Sequence, residues 1–106
     1  MSSFSVRCLF RWLNTSGADV HTYEERITLW SAQDIDDSIA QAEAEAKTYA
    51  ADSNCEYLGF CQAYAMHSHV SASSVEVFSL LRESDLAPAK YIDAFFATGT
   101  ERERDA

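Results

Sequence analysis

From Phe4 to Leu13 the side chains alternate, and that alternation limits the fold more than any other feature of the chain. Phe4, Val6, Cys8, Phe10 and Trp12 fall on one parity, with Ser5, Arg7, Leu9 and Arg11 on the other. A period of two belongs to a strand with one face against a core. Asn14-Thr15-Ser16-Gly17-Ala18-Asp19 follows as a turn cluster. Val20–Trp30 is a second strand, polar at first and then rich in β-branched and aromatic residues at Ile27-Thr28-Leu29-Trp30. A short loop between two such strands predicts an antiparallel hairpin.

The period then changes. Over Asp34 to Asp52, Ile35, Ile39, Ala42, Ala46, Tyr49 and Ala50 recur at steps of three and four, which marks one face of a helix. Ser31 or Asp34 can cap it. Asp34, Asp36 and Asp37 sit near the positive end of its dipole. Asp52-Ser53-Asn54 ends it. Tyr57–Met66 predicts a third strand, with Gly59, Cys61, Ala63 and Ala65 leaving room for a covering helix. Val75–Arg82 predicts a fourth, apolar on both parities, which places it centrally or against a partner. Pro88 suits the first position of a last helix, with Tyr91, Ile92, Phe95 and Phe96 as its apolar face and Gly99 as its C-terminal cap.

The expected fold is α+β in the order β-β-α-β-β-α. It has a four-stranded, mainly antiparallel sheet with the helices packed on one face. The expected domain covers residues 1–99, and 100–106 form a flexible charged tail. A chain of 106 residues fits one such domain.

Charge narrows the partners. The net charge is −9, and between Asp34 and Asp52 six acids face only Lys47. Nucleic-acid binding needs a Lys/Arg stripe, so it is not expected. Acidity repels phosphate and anionic membranes and speeds encounter with basic proteins. It also serves simple solubility. No run approaches the roughly 18 apolar residues of a membrane span. No signal peptide is indicated at Met1 to Arg7. Three cysteines without a C-x-x-C pair fit a reducing cytoplasm, with Cys8 and Cys61 as small buried apolar residues.

No catalytic motif is present. The chain has no G-x-S-x-G elbow, P-loop or G-x-G-x-x-G. Cys55, Cys61, His67 and His69 match no common zinc spacing. Neither a metal nor a cofactor is expected, and no catalytic residue is assigned.

Two groups of residues are candidates for binding a protein. The acidic helix face offers Asp36, Asp37, Glu43 and Glu45 to a basic partner, as an inhibitor or immunity protein does. On the first hairpin Arg7, Arg11 and Arg26 lie among aromatic residues, and Arg26 shares a face with Trp30. Exposed, such a surface would carry interface anchors. The favoured alternative has Glu24 and Glu25 neutralising the arginines while the tryptophans fill the core.

Tyr23-Glu24-Glu25-Arg26-Ile27-Thr28-Leu29-Trp30, the Ala-rich acidic helix, Glu56-Tyr57-Leu58-Gly59-Phe60 and Val77-Phe78-Ser79-Leu80-Leu81-Arg82-Glu83-Ser84-Asp85-Leu86 resemble a small bacterial family catalogued as domain of unknown function 4288. The resemblance covers nearly the whole chain. It implies a small bacterial cytosolic α+β protein and carries no functional residue onto it.

The leading expectation is a non-enzymatic, acidic protein-binding module with a basic partner. The alternatives are a homodimeric structural module, and a small enzyme or ligand-binding domain with a pocket between sheet and helices.

Overall fold

A computed structural model describes residues 1–13, 20–66, 75–96 and 102–104. The elements run β1 (Ser2–Trp12), β2 (His21–Ala32), α1 (Ile35–Asp52), β3 (Cys55–Ala65), β4 (Val75–Ser84), α2 (Pro88–Phe95) and β5 (Arg102–Arg104). The expected turn at 14–19, His67, His69 and Gly99 lie outside the described residues.

All strand pairings are antiparallel, in the order β4-β2-β1-β3-β5. The first two strands pair as the alternation requires, with Phe4 opposite Trp30 and Phe10 opposite Glu24. The α+β class and the four-stranded antiparallel sheet β3-β1-β2-β4 therefore stand. Arg102–Arg104 of the expected tail adds a short strand along β3 instead of trailing free.

The placement of the helices needs correction. Val6, Cys8, Phe10, Trp30, Cys61 and Ala63 pack with Ile39, Ala42 and Ala46 of α1. Leu9, Tyr23 and Phe60 pack with Tyr91 and Ile92 of α2, and with Phe96 just beyond it. Val6, Cys8 and Phe10 alternate with Leu9 along β1, so the two helices cover opposite faces of the sheet. The physical reason is that both parities of the strands carry apolar residues, and one helix can cover only one of them.

The position of β4 needs correction too. It is an edge strand, paired with β2 alone among the described strands. Its apolar residues are not wrapped by neighbours: Phe78, Leu80 and Leu81 are 45%, 39% and 53% exposed.

Local chemistry explains α1. Asp34 is its N-cap, and its side chain accepts from the Asp37 amide at 2.7 Å. Ser53 closes the other end with its amide on the Ala50 carbonyl. The predicted apolar face packs as a unit, with Ile39, Ala42 and Ala46 buried and Ile35, Tyr49 and Ala50 partly so. In β3 the register against β1 shifts between Cys8 and Phe10. Gly59 sits there at φ 77°, a left-handed conformation that costs glycine little. The two extra residues put Tyr57 opposite Phe10 and leave it on the face of Cys61, against α1.

Candidate functional site

Arg26 and Trp30 are buried, Arg7, Arg11 and Trp12 partly so, and of the expected neutralising acids Glu25 takes Arg7 while Glu24 takes no arginine among the described residues. Arg26 is 8% exposed. Its guanidinium grips Glu45 of α1 through two bonds of 2.6 and 3.1 Å, and its Nε donates to Glu76 of β4 at 2.6 Å. The same group lies 3.9 Å over the Tyr49 ring. Burial opposes the Arg26 charge, but the bonds and charges of Glu45 and Glu76 outweigh it and the pKa moves up. Trp30 is buried and donates to Thr28 Oγ1 at 2.7 Å.

Beside this pair lies a buried acid, Glu24, at 3% exposure. It accepts from Tyr49 Oη at 2.8 and 3.0 Å, from Trp12 Nε1 at 3.2 Å, and from Ser79 Oγ. One carboxylate thus ties β2 to β1, α1 and β4. With three donors on its two oxygens it serves as a structural acceptor, satisfying polar groups that burial would otherwise strand.

On the opposite face Arg7 donates to Glu25 at 3.0 Å and to Gln62 Oε1, and lies 4.8 Å over Phe96. Gln62 is fully buried and donates to the Phe96 carbonyl at 2.7 Å, which anchors the end of α2 to β3. Arg11 pairs with Glu56 where both are partly solvated, an arrangement that contributes little.

The acidic residues of α1 divide. Glu43 accepts from Tyr57 Oη at 2.7 Å, and Glu45 holds Arg26. Asp37 accepts from the Gln33 amide at 3.1 Å and from Gln41 at 3.2 Å. Asp36 and Asp52 are exposed at opposite ends of the helix, with Ala40, Ala44, Lys47, Thr48 and Ala51 as the other exposed positions. The acids thus serve the sheet and the helix start more than they form a continuous surface.

Two buried phenols, Tyr23 and Tyr91, and two partly buried ones, Tyr49 and Tyr57, have a consequence at high pH. Burial pushes Tyr49 up, aided by the Glu24 carboxylate; burial likewise raises Tyr57, Tyr23 and Tyr91. In the unfolded chain phenols ionise near pH 10. Above that pH the unfolded state binds fewer protons than the native state, so stability is full below about pH 10 and falls as pH rises. Cys55, raised by burial, acts in the same sense from the thiol range upward. Urea midpoints should be flat from pH 7 to about 8, fall gently through the thiol range and drop steeply beyond 10. An unchanged midpoint at pH 11 would contradict this packing of the tyrosines.

The central position open to β4 is excluded by its place at the sheet edge, and its apolar residues form a surface. Phe78 and Leu80 stand opposite Ile27 and Glu25, on the face that carries α2. Leu81 stands opposite Glu24 on the α1 face. Ile27 and Leu29 are half-buried beside them, and Glu76, Glu83 and Asp85 are exposed along the same margin. The signal was present in the sequence as apolar residues on both parities.

Among the described residues no group of three His, Cys, Asp or Glu side chains could hold a metal ion. No described helix is long and apolar enough to cross a membrane. The architecture defines an α+β protein with an antiparallel sheet between two helices. No family model, curated protein or solved structure matches the chain.

Proposed function

We propose that this protein is a non-enzymatic protein-binding module, and that its partner adds a basic extended segment to the β4 edge. The observation that carries the reading is the exposure of Phe78, Leu80 and Leu81 on an outer strand of ten residues. An edge strand offers a row of backbone donors and acceptors, and alternate side chains on it supply specificity. The acids Glu83 and Asp85 at that margin, with the net charge of −9, favour a basic strand, while Glu76 is already held by Arg26. The resemblance to domain of unknown function 4288 adds a bacterial, cytoplasmic setting to this proposal and no activity.

The test uses a fluorescent peptide of alternating Lys and Val. It should bind in a salt-sensitive manner and slow amide exchange in β4. Phe78→Ser with Leu81→Ser, which leaves charge untouched, should weaken it roughly tenfold or more. Unchanged β4 exchange, or equal binding by the double variant, refutes the proposal.

A second reading has one specific observation behind it. Since β4 is apolar on both faces, two copies laid antiparallel would cover Leu80 with Leu80. Light scattering behind a sizing column separates the two: a monomer mass at every concentration rejects self-association.

A further inference from the structure

Cys8 of β1 and Cys61 of β3 are register partners on adjacent antiparallel strands. Opposed residues in such a pair have Cα atoms about 4.5 or 5.5 Å apart, depending on the hydrogen-bonding site. Both spacings fall within the range a disulfide spans. Both side chains point to the same face, in the cluster under Ile39, Ala42 and Ala46 of α1. They are 4% and 0% exposed, and they are thiols in this structure. Cys55 is also buried but stands opposite Trp12, at the other end of β3.

We propose that Cys8 and Cys61 form a redox couple, closing to a cross-strand disulfide that locks β1 to β3 under α1. The oxidant is a small-molecule disulfide. The thiolate of one cysteine attacks a sulfur of that reagent, forming a mixed disulfide and expelling one reagent thiolate. The second cysteine thiolate then attacks the protein sulfur of the mixed disulfide and expels the other. Two protein thiols are oxidised, one reagent disulfide is reduced, and the two protons lost by the cysteines pass through solvent to the two expelled reagent thiolates, giving two thiols.

The surroundings set the rate. The bond to Cys61 raises the Cys8 thiol well above its usual range, and burial adds to it, with the Cys61, Glu43 and Glu45 charges contributing in the same sense. Few thiolates are therefore present at neutral pH, and the reagent reaches them only when α1 lifts. The couple is slow to form and, once formed, shielded from reductants by the same helix.

The experiment uses the full chain with oxidised glutathione as the probe. One sample is incubated native and another is unfolded and refolded in the same buffer, so that slow access cannot hide the chemistry. Acid quenching, alkylation and mass spectrometry should show a mass lower by about 2 Da before alkylation. One thiol of three, Cys55, should remain to be tagged. A digest should join the peptides holding Cys8 and Cys61. Cys8→Ser should abolish that link and Cys55→Ser should preserve it. The oxidised chain should melt roughly 10 °C higher than the reduced one, because the link closes a long loop. Three taggable thiols in both samples, a link that includes Cys55, or an oxidised form that melts lower than the reduced one overturns the proposal.

Discussion

Glu24→Ala should destabilise the fold by about 3 kcal/mol, read as a fall in the urea midpoint with its slope unchanged. The residue is nearly fully buried, and its carboxylate receives Tyr49, Trp12 and Ser79. Alanine leaves three donors without their acceptor and opens a gap between β2 and α1. Each stranded donor costs on the order of 1 kcal/mol or more, and the gap adds to that. Ser79 is exposed and can turn to water, which keeps the sum from growing further. Glu24→Gln keeps the volume and one acceptor oxygen, but aims an amide at donors; about half the loss is expected. Arg11→Ala is the surface control. Its pair with Glu56 is 30% and 40% exposed, so a change within about 0.5 kcal/mol is expected. A Glu24→Ala variant within about 1 kcal/mol of the parent would mean that the carboxylate does not organise this part of the core.

The same network shows what period and pattern can reach. The alternation in β1 identified correctly which residues share a face, and it put Arg26 and Trp30 together on β2. Period alone does not say which face a helix will cover. That depends on α1 lying over β3, β1 and β2, a long-range packing fact. Hence pattern leaves Arg26 open as an exposed anchor or a buried partner, with the buried reading favoured, and it does not name Glu45 of α1 as the acid that holds it. Helix α1 itself was readable because its determinants are local: Asp34 as cap, and apolar steps of three and four from Ile35 to Ala50. The bulge beside Cys8 was not readable, although Gly59 marked its site. The parity of Tyr57 with Cys61 survives the two extra residues, so its face toward α1 and Glu43 follows from alternation, while its cross-strand partner, Phe10, does not. For β4 the two-sided apolar pattern leaves two positions open, central or against a partner, and the edge position removes the first. A buried central strand and an edge strand awaiting a partner have the same local pattern, and only the order of strands separates them.

Tyr91→Ala should release α2 while the rest of the fold persists. The helix has eight residues and no side-chain cap at its start, which is too short to stand without packing. What holds it is the patch under Tyr91, Ile92 and Phe96. The Tyr91 ring stacks on Tyr23 at 4.1 Å and meets Phe96 at 5.7 Å. The Tyr23 hydroxyl in turn donates to the Leu86 carbonyl at 2.7 Å, fixing the approach to the helix. Removing a buried aromatic side chain costs roughly 3–5 kcal/mol if the surroundings keep their places. A one-sided docking contact of this size is worth about as much, so undocking is the cheaper response. Amides of 89–96 should then exchange at near-unfolded rates while those of β1, β2, α1 and β3 stay protected. Tyr91→Phe keeps the stack and loses a 3.4 Å contact with Arg82, so it should fall by less than about 1 kcal/mol. Undocking would bare Leu9, Tyr23 and Phe60 on the face that already exposes Phe78 and Leu80. A continuous apolar surface of that kind promotes association. The variant should therefore show a mass that rises with concentration by light scattering. Uniform loss of protection throughout the chain, or a helix still protected, would show that α2 and the sheet do not separate in this way.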